Sequence, residues 1–495
     1  MNNKSIQYFS SLSLSLLIVM IAVLISLLGA YEQGLNITNG FIYALITICV
    51  AFTPILLRVF QNELNVFEPI VLSMVMLGIL FGIRPIAMYF AGETEYFLWY
   101  PISPYLDQAV FLGMIGTVMF LIGYLGISEI YSNKSNNKLN RILIADRKST
   151  GMYLYCFSIF LLSLIMFYLY ISASGSALSV LQMMYSGRSQ ELVDSLPLQS
   201  EYFSVAPILS ACAAVILIVS NGDKKFSFLD SVLIAFFVLF PVVIFLLMGV
   251  RRFIIPSVFI PLVVYYLVRN KKPRLKNLFI LAPLIFLLLS VVPYLRTEGA
   301  RTNLQESNSG LIEHVFTNAG KHVGRFILGH DTEMVSALSV EIGALKTAKD
   351  YYYGRAVFGD LLLAPIPSII FPEKPTTARD GMLVDSFGMK CNATEGGLCP
   401  DFSVIGTFYQ DFWYVGVSLG MLIIGSISAL MWQKYLLKKA SSLSIVVLSC
   451  WVVFLPIIIR AGFMPAFAWF LYFLMPSLIG LWISKKISNN KLVNS

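Results

Sequence analysis

The sequence predicts an all-α polytopic membrane protein. Hydrophobic residues make up 57% of the 495 residues, charged residues only 13%, and the mean hydropathy is +0.78. A soluble domain of this length would expose far more charge. The apolar runs are about 17–22 residues long, which suits helices that cross about 30 Å of hydrocarbon. We predict twelve spans, at 12–30, 41–57, 67–83, 107–127, 152–172, 202–220, 229–248, 253–268, 277–294, 412–431, 443–459 and 465–483.

The first nine spans are joined by short connections, with longer polar ones at 128–150 and 173–201. The first apolar run does not resemble a signal peptide, because it is long and no small-x-small cleavage site precedes the polar turn Tyr31–Gly34. The ninth span is followed by a long polar stretch at 296–411. We therefore expect three parts: spans one to nine in 1–295, a large partly helical loop in 296–411 that covers a lateral cavity, and three further spans in 412–495.

Charge orients these spans. The connections on the side of the termini carry 20 Lys and Arg residues, the short connections on the other side carry five, and the long loop carries ten. Long loops do not count in the positive-inside rule. We therefore predict cytoplasmic termini and a 296–411 loop on the outer side, which is periplasmic, or extracellular in a cell with a single membrane. The net charge of +8 follows from basic clusters near the membrane, which favour anionic lipids as partners and argue against nucleic acid.

Two helices are predicted inside the large loop. Residues 311–329 place apolar side chains on one side and a basic ridge of His314, Lys321 and Arg325 on the other. This ridge is either a solvated face or a surface turned toward an anionic lipid headgroup. The second helix, 332–348, has apolar residues at helical spacing, and we interpret it as a packing element.

Positively charged side chains gather at the predicted outer boundary. Guanidinium groups suit a diphosphate because they are always charged and hold two oxygens at once. As a set they favour a lipid-linked diphosphate ligand, although Arg251 and Arg252 are alternatively snorkelling anchors. The predicted diphosphate-binding residues are Arg251, Arg252, Arg296, Arg301 and Arg325.

Two residues of the loop are candidate bases. His330 precedes Asp331, and a histidine beside a carboxylate can accept a proton near neutral pH. Glu298 lies between Arg296 and Arg301, as a partner or a base. A structural role for His330 is the alternative.

Cys391 and Cys399 flank a Gly-Gly turn in the same loop. In an oxidising compartment they favour a disulfide, with metal binding as the less favoured alternative. The chain has no HExxH, CxxC, Walker A or G-x-S-x-G motif. We expect no cofactor and a metal-independent reaction.

Four stretches of the sequence stand out beside the nine-plus-three arrangement with a large late loop: Gly249-x-Arg251, Tyr353-Gly354, Ala364–Pro375 with its Phe-Pro-Glu-Lys-Pro ending, and Ser403–Gly416. Together these features resemble the Wzy-type O-antigen polymerases, which are related to the O-antigen ligases. The ligases usually carry a His-Asn pair before the span that follows the loop. Here Gln410-Asp411 stands in that region, which favours a polymerase.

The resemblance implies a fold like the GT-C glycosyltransferases and a metal-independent glycosyltransferase activity. The reaction would join polyprenyl-diphosphate-linked oligosaccharide repeat units at the outer leaflet of the bacterial inner membrane, beside a periplasmic loop, with His330, Glu298, Arg251 and Arg296 as the catalytic candidates. It implies a lipid-linked oligosaccharide substrate and, as partners, a chain-length regulator and a flippase. A ligase, or a transporter of lipid-linked oligosaccharide, is the alternative.

Overall fold

The computed structural model describes residues 38–97, 100–132, 150–173, 205–247, 251–273, 327–329, 332–348, 351–363, 402–437 and 441–493. These residues form a helical bundle in which the β-strands are limited to one two-residue pair. The first half contains α1 Asn39–Phe60, α2 Pro69–Gly78, the π-helix π1 Ile79–Ile83, α3 Arg84–Ala91, the antiparallel strands β1 Tyr96–Phe97 and β2 Tyr100–Pro101, α4 Ser103–Ser132, α5 Thr150–Ala173, α6 Ile208–Asn221 and α7 Phe228–Leu247. The second half contains α8 Arg251–Val268, α9 Met334–Ala348, the π-helix π2 Arg355–Gly359, α10 Asp360–Leu363, α11 Val404–Leu437, α12 Ser442–Ala461 and α13 Phe463–Val493.

Eight of the described helical segments are long and apolar enough to cross a membrane. They match eight predicted spans, so the prediction of an all-α polytopic membrane protein is confirmed. Two shorter apolar helices, Ile208–Asn221 and Arg252–Val268, match two more. The predicted spans 12–30 and 277–294 lie outside the described residues. The count of twelve and the likeness to GT-C enzymes therefore stay predictions.

Local sequence explains where several helices begin and end. The Thr38 hydroxyl accepts a hydrogen bond from the Phe41 amide at 3.3 Å and caps α1. Pro69 occupies the first turn of α2, where its missing N–H costs nothing. Gly92, with a φ of 71°, ends α3 in the left-handed conformation. Ser441 caps α12 by accepting from the Ser444 amide at 3.2 Å.

Glycines bring α4 and α11 into close contact. A Cβ at Gly123 would collide with the Leu422 carbonyl, and one at Gly425 would collide with the Phe120 carbonyl. Small residues at such positions let two helix backbones approach each other in a membrane, where packing replaces the hydrophobic effect. Because α11 follows the large loop, this contact fixes the end of the loop against the first half of the chain.

The bundle has two ends, which we name by their residues. The loop end carries Thr38, the β1–β2 hairpin, α9 and residues 351–363, and the opposite end carries the paired Arg58 and Glu68. The helix predicted at 332–348 is present as α9. Its residues from Met334 to Leu345 are almost all fully buried against α4 and α11, as a packing helix requires.

Candidate functional site

Two of the predicted arginines lie on described helix residues at the loop end. Arg251 is the first residue of α8, and Arg252 is exposed beside it. The Arg252 guanidinium carbon lies 4.5 Å from the ring centroid of Trp469 and 5.2 Å from that of Phe253. Such a cation–π contact holds the guanidinium plane in one orientation.

The other predicted site residues lie outside the described residues. They are Arg296, Glu298, Arg301, Arg325, His330, Cys391 and Cys399. The basic ridge of His314, Lys321 and Arg325 also lies outside the described residues, which include only 327–329 of the predicted helix 311–329. The diphosphate site, the candidate bases and the disulfide therefore stay predictions.

The segment that flanks His330 is attached to the loop end by Arg84. This arginine is buried at the start of α3, and its guanidinium donates to the Ile327 carbonyl at 2.9 Å. The Thr332 hydroxyl donates to the same carbonyl from the other side of His330. A carboxylate oxygen of Glu93 lies 3.9 Å from the Arg84 guanidinium. Arg84 therefore positions residues 327–329 and 332–333 against the bundle.

Sequence reasoning missed this role, because Arg84 entered only the count of charges in short connections. The available signal was its position at the end of an apolar run, since an arginine at membrane depth requires a partner. The π-helix Ile79–Ile83 immediately precedes Arg84, and π-helical turns frequently occur at functional sites.

The best-defined contact of the loop end joins Asp411 to the residues after Gly354. Asp411 is fully buried on the first turns of α11, and its two carboxylate oxygens accept from the amides of Ala356 at 2.9 Å and Val357 at 2.8 Å. The Tyr352 amide also donates to the Gln410 carbonyl at 3.0 Å. We call this arrangement the Asp411 clamp. It places a carboxyl group at the N-terminus of π2, where the helix amides have no partner within the helix.

The clamp determines how Arg355 is presented. Gly354 has a φ of 94°, which glycine adopts without strain, and π2 begins at the next residue. Arg355 is exposed on this turn, while the amides that follow it are held by the buried carboxylate. The result is a cationic side chain on a rigid turn at the loop end.

The backbone on both sides of the clamp adopts uncommon conformations. Trp413 has a φ of 55° and a ψ of −144°, and it interrupts α11 directly after Phe412. Tyr353 has a φ of 47°. Positive φ is a genuine outlier for bulky residues, and such strain persists where the surrounding structure determines it. The predicted span at 412–431 thus begins earlier, at Val404, and is kinked next to the clamp.

A row of aromatic rings lies beside the kink. Ring centroids are 6.1 Å apart for Tyr351 and Tyr409, 6.0 Å for Tyr409 and Tyr414, and 5.0 Å for Trp413 and Tyr414. These are ordinary edge-to-face distances, so the rings support one another.

Hydrogen-bonding groups adjoin this row. The Gln108 side-chain amide donates to the Tyr409 hydroxyl at 3.3 Å, and the exposed Lys346 ammonium donates to the Gln108 oxygen at 2.6 Å. The Lys346 ammonium also lies 5.1 Å from the ring centroid of Tyr105. The loop end therefore combines aromatic surface with amide and ammonium groups.

A second carboxyl group lies behind this surface. Glu341, on α9, is fully buried, and neither of its oxygens makes a hydrogen bond. It faces α11, where a Cβ at Gly406 would collide with its Oε2. Burial raises the pKa of Glu341 well above its usual range, and the Gln410 amide offsets this only in part. Burial therefore favours the neutral form of the Glu341 carboxyl.

Within the part of the chain that the structure describes, no three His, Cys, Asp or Glu side chains form a metal-binding group. The metal independence of the reaction stays a prediction.

Comparison with known proteins gives the family. The family model described as O-antigen polysaccharide polymerase Wzy matches residues 8–491. Searches of curated proteins and of solved structures found no match. Because the family model covers almost the whole chain, including both sides of the Asp411 clamp, this chain belongs to the O-antigen polysaccharide polymerase Wzy family.

Proposed function

We propose that this protein polymerises polyprenyl-diphosphate-linked oligosaccharide repeat units at the outer leaflet of the inner membrane. The observation that carries the proposal is the family match over residues 8–491. Helices long enough to span a membrane and a loop end with exposed cationic side chains are compatible with a lipid-linked, phosphorylated substrate. The 20-to-five distribution of Lys and Arg supports the assignment of the loop end to the outer side.

The chemistry is a displacement at a sugar carbon. A hydroxyl oxygen of the acceptor repeat unit attacks the anomeric carbon of the donor chain and forms the new glycosidic bond. The bond between that carbon and the diphosphate oxygen breaks, and the polyprenyl diphosphate leaves with the electron pair. His330 or Glu298 takes the hydroxyl proton in this proposal.

Cationic groups lower the barrier by stabilising the charge that develops on the leaving diphosphate. A well-placed donor contributes about 3 kcal/mol in comparable sites. Arg251 and Arg296 bind the diphosphate, and Arg252, Arg301 and Arg325 assist. The exposed Arg355, which the Asp411 clamp presents at the same end, joins this set.

The test is polymer formation in a deletion strain that carries plasmid-borne variants. Arg251→Ala and Arg296→Ala should each abolish polymer while the protein remains in the membrane at wild-type level. Arg269 provides a matched control, because it lies at the opposite end and stacks on Phe226 at 4.7 Å and Tyr265 at 4.5 Å. Arg269→Ala should leave polymer length unchanged.

The products in the deletion strain separate the proposal from its alternatives. Single repeat units joined to their acceptor indicate the loss of a polymerase. Full-length polymer that never reaches its acceptor would instead identify a ligase. Repeat units trapped at the inner leaflet would identify a transporter.

A further inference from the structure

Five aromatic side chains lie in the two segments that the Asp411 clamp joins at the loop end. We call them the aromatic platform: Tyr351, Tyr353, Phe412, Trp413 and Tyr414. Tyr353 is 75% exposed, Trp413 50% and Phe412 43%. The two segments are neighbours, since a Cβ at Gly354 would lie 3.4 Å from the Phe412 ring. Large aromatic area is thus left uncovered next to the exposed Arg355.

Two residues of the platform have a strained backbone conformation. Among the described residues that are not glycine, positive φ occurs at Asn62, Asn270, Tyr353 and Trp413. Asparagine tolerates this conformation well, whereas tyrosine and tryptophan do not. Both strained aromatic residues belong to the platform, and both flank the clamp. The fold therefore maintains the two most exposed rings of this surface at a cost in stability, which indicates a use for them.

The groups next to the platform are suited to hydroxyl-rich ligands. Lys346 and Gln108 form one hydrogen-bonded pair that reaches the Tyr409 hydroxyl, and Tyr409 lies edge-to-face with the platform ring of Tyr414. Sugar rings need both kinds of surface. Their C–H faces pack on the negative faces of aromatic rings, and their hydroxyls accept or donate hydrogen bonds at the edge.

We propose that the aromatic platform binds the sugar rings of the lipid-linked repeat unit, with Tyr353 and Trp413 as the stacking residues and Lys346 and Gln108 as hydrogen-bonding groups. This inference rests on the proposed function and adds the site for the glycan part of the substrate. The diphosphate part binds to the arginines, while the Asp411 clamp keeps the platform and Arg355 in one rigid unit.

An interfacial belt is the competing explanation for exposed aromatic residues. Tyrosine and tryptophan are enriched where a membrane meets water, and there they act as anchors. An anchor needs no positive φ, however, and Tyr96 at the same end is 68% exposed without one. Tyr96 therefore serves as the matched control.

The experiment measures binding to the full-length protein in lipid nanodiscs. Three probes are used: the lipid-linked single repeat unit that accumulates in the deletion strain, its glycan released by mild acid, and polyprenyl diphosphate without sugar. Trp413→Ala and Tyr353→Gly should raise the Kd for the released glycan about 10-fold. Both should leave the Kd for polyprenyl diphosphate within twofold of wild type, and Tyr96→Ala should change neither.

Tyr353→Gly separates binding from folding. Glycine adopts a φ of 47° without strain, so this variant should unfold at a temperature equal to or above that of the wild type while it loses glycan affinity. Trp413→Phe keeps an aromatic face and should restore most of the affinity lost in Trp413→Ala. Wild-type glycan affinity in both Tyr353→Gly and Trp413→Ala would overturn the proposal.

The outcomes also separate this inference from the proposed function. If the wild-type protein makes polymer and the platform variants bind glycan with wild-type affinity, the platform does not bind the glycan, while the proposed polymerase function is retained. If the wild-type protein binds the glycan through the platform but deletion leaves polymer unchanged, the polymerase assignment is wrong. Equal loss of affinity for glycan and polyprenyl diphosphate would contradict the platform, because a specific stacking surface cannot act on the sugar-free lipid.

Discussion

At the residue scale, Glu341 is a buried carboxyl group that has no role in the proposed reaction, but its protonation depends on how α9 and α11 pack. Its carboxyl lacks hydrogen bonds and is enclosed between α9 and the first turns of α11. A charged form there would carry a large desolvation penalty, so burial raises the pKa of Glu341 and favours the protonated form. The protonation of Glu341 therefore depends on whether water is excluded from the contact between α9 and α11.

The pH dependence of stability tests this interpretation. Because the pKa of Glu341 is raised on folding, the folded state keeps a proton that the unfolded state releases. The wild-type protein should therefore lose stability as the pH rises above about 4.3, the ordinary value for glutamate, toward the pKa of the folded state. Glu341→Gln removes this titration and should unfold at a temperature that changes less between pH 5 and pH 8.

Thermal unfolding of the detergent-solubilised protein measures this difference. Glu63→Gln, at an exposed position of the opposite end, keeps the buried carboxyl and is the control. A Glu341→Gln variant that loses stability with rising pH as steeply as the wild type would show that Glu341 ionises freely.

At the scale of elements, the Asp411 clamp joins the last part of the loop to the span that follows it. Asp411→Ala would leave the buried amides of Ala356 and Val357 without acceptors, which costs about 1–3 kcal/mol. The turn that presents Arg355 would also lose its fixed geometry. We therefore expect a raised KM for the lipid-linked repeat unit and shorter polymer, together with a lower unfolding temperature.

A variant at Asp230 is the control that separates the effect of positioning Arg355 from the effect of lost stability. It is also fully buried, but it lies at the opposite end and accepts from the hydroxyl of Tyr153 at 2.8 Å and of Ser227 at 2.7 Å. Asp230→Ala should lower the unfolding temperature while the KM stays at the wild-type value. If the two variants affect KM equally, the clamp has no special role in presenting Arg355.

The clamp also shows what the sequence could and could not predict. The spans follow from continuous apolar runs, and α9 follows from helical spacing, since both signals are local. The sequence singled out 353–354 and 403–416 through a family resemblance, but it did not predict that Asp411 binds the amides after Gly354. That contact crosses 54 and 55 positions of the chain and arises only when α11 packs against the loop. Tyr353 and Trp413 were missed because positive φ leaves no pattern in side-chain chemistry.

At the scale of the whole molecule, the two ends of the described bundle have different character. At the opposite end, Arg58 binds both oxygens of Glu68 at 3.0 and 2.9 Å, and Tyr124 donates to the same carboxylate at 2.9 Å. The loop end contains the two strained aromatic residues, Tyr353 and Trp413, and the buried carboxyl of Glu341. Polar networks with complete hydrogen bonding stabilise a bundle, whereas residues with a strained backbone cluster where a protein binds its substrate. This contrast favours a single substrate-binding end.

The orientation of that end is the last prediction, because polymerisation at the outer leaflet requires the loop end to face outward. In a variant whose native cysteines are replaced by serine, Tyr353→Cys should react with a membrane-impermeant maleimide added to intact spheroplasts. Lys225→Cys, exposed at the opposite end, should react only after the membrane is permeabilised. The expected contrast follows from the distribution of Lys and Arg, which retains the lysine-rich connections on the cytoplasmic side. The opposite result, in which the cysteine at position 225 reacts in intact spheroplasts and the one at position 353 does not, would show that the topology is reversed. The aromatic platform and the arginines would then face the cytoplasm, where they could not act on a substrate in the outer leaflet.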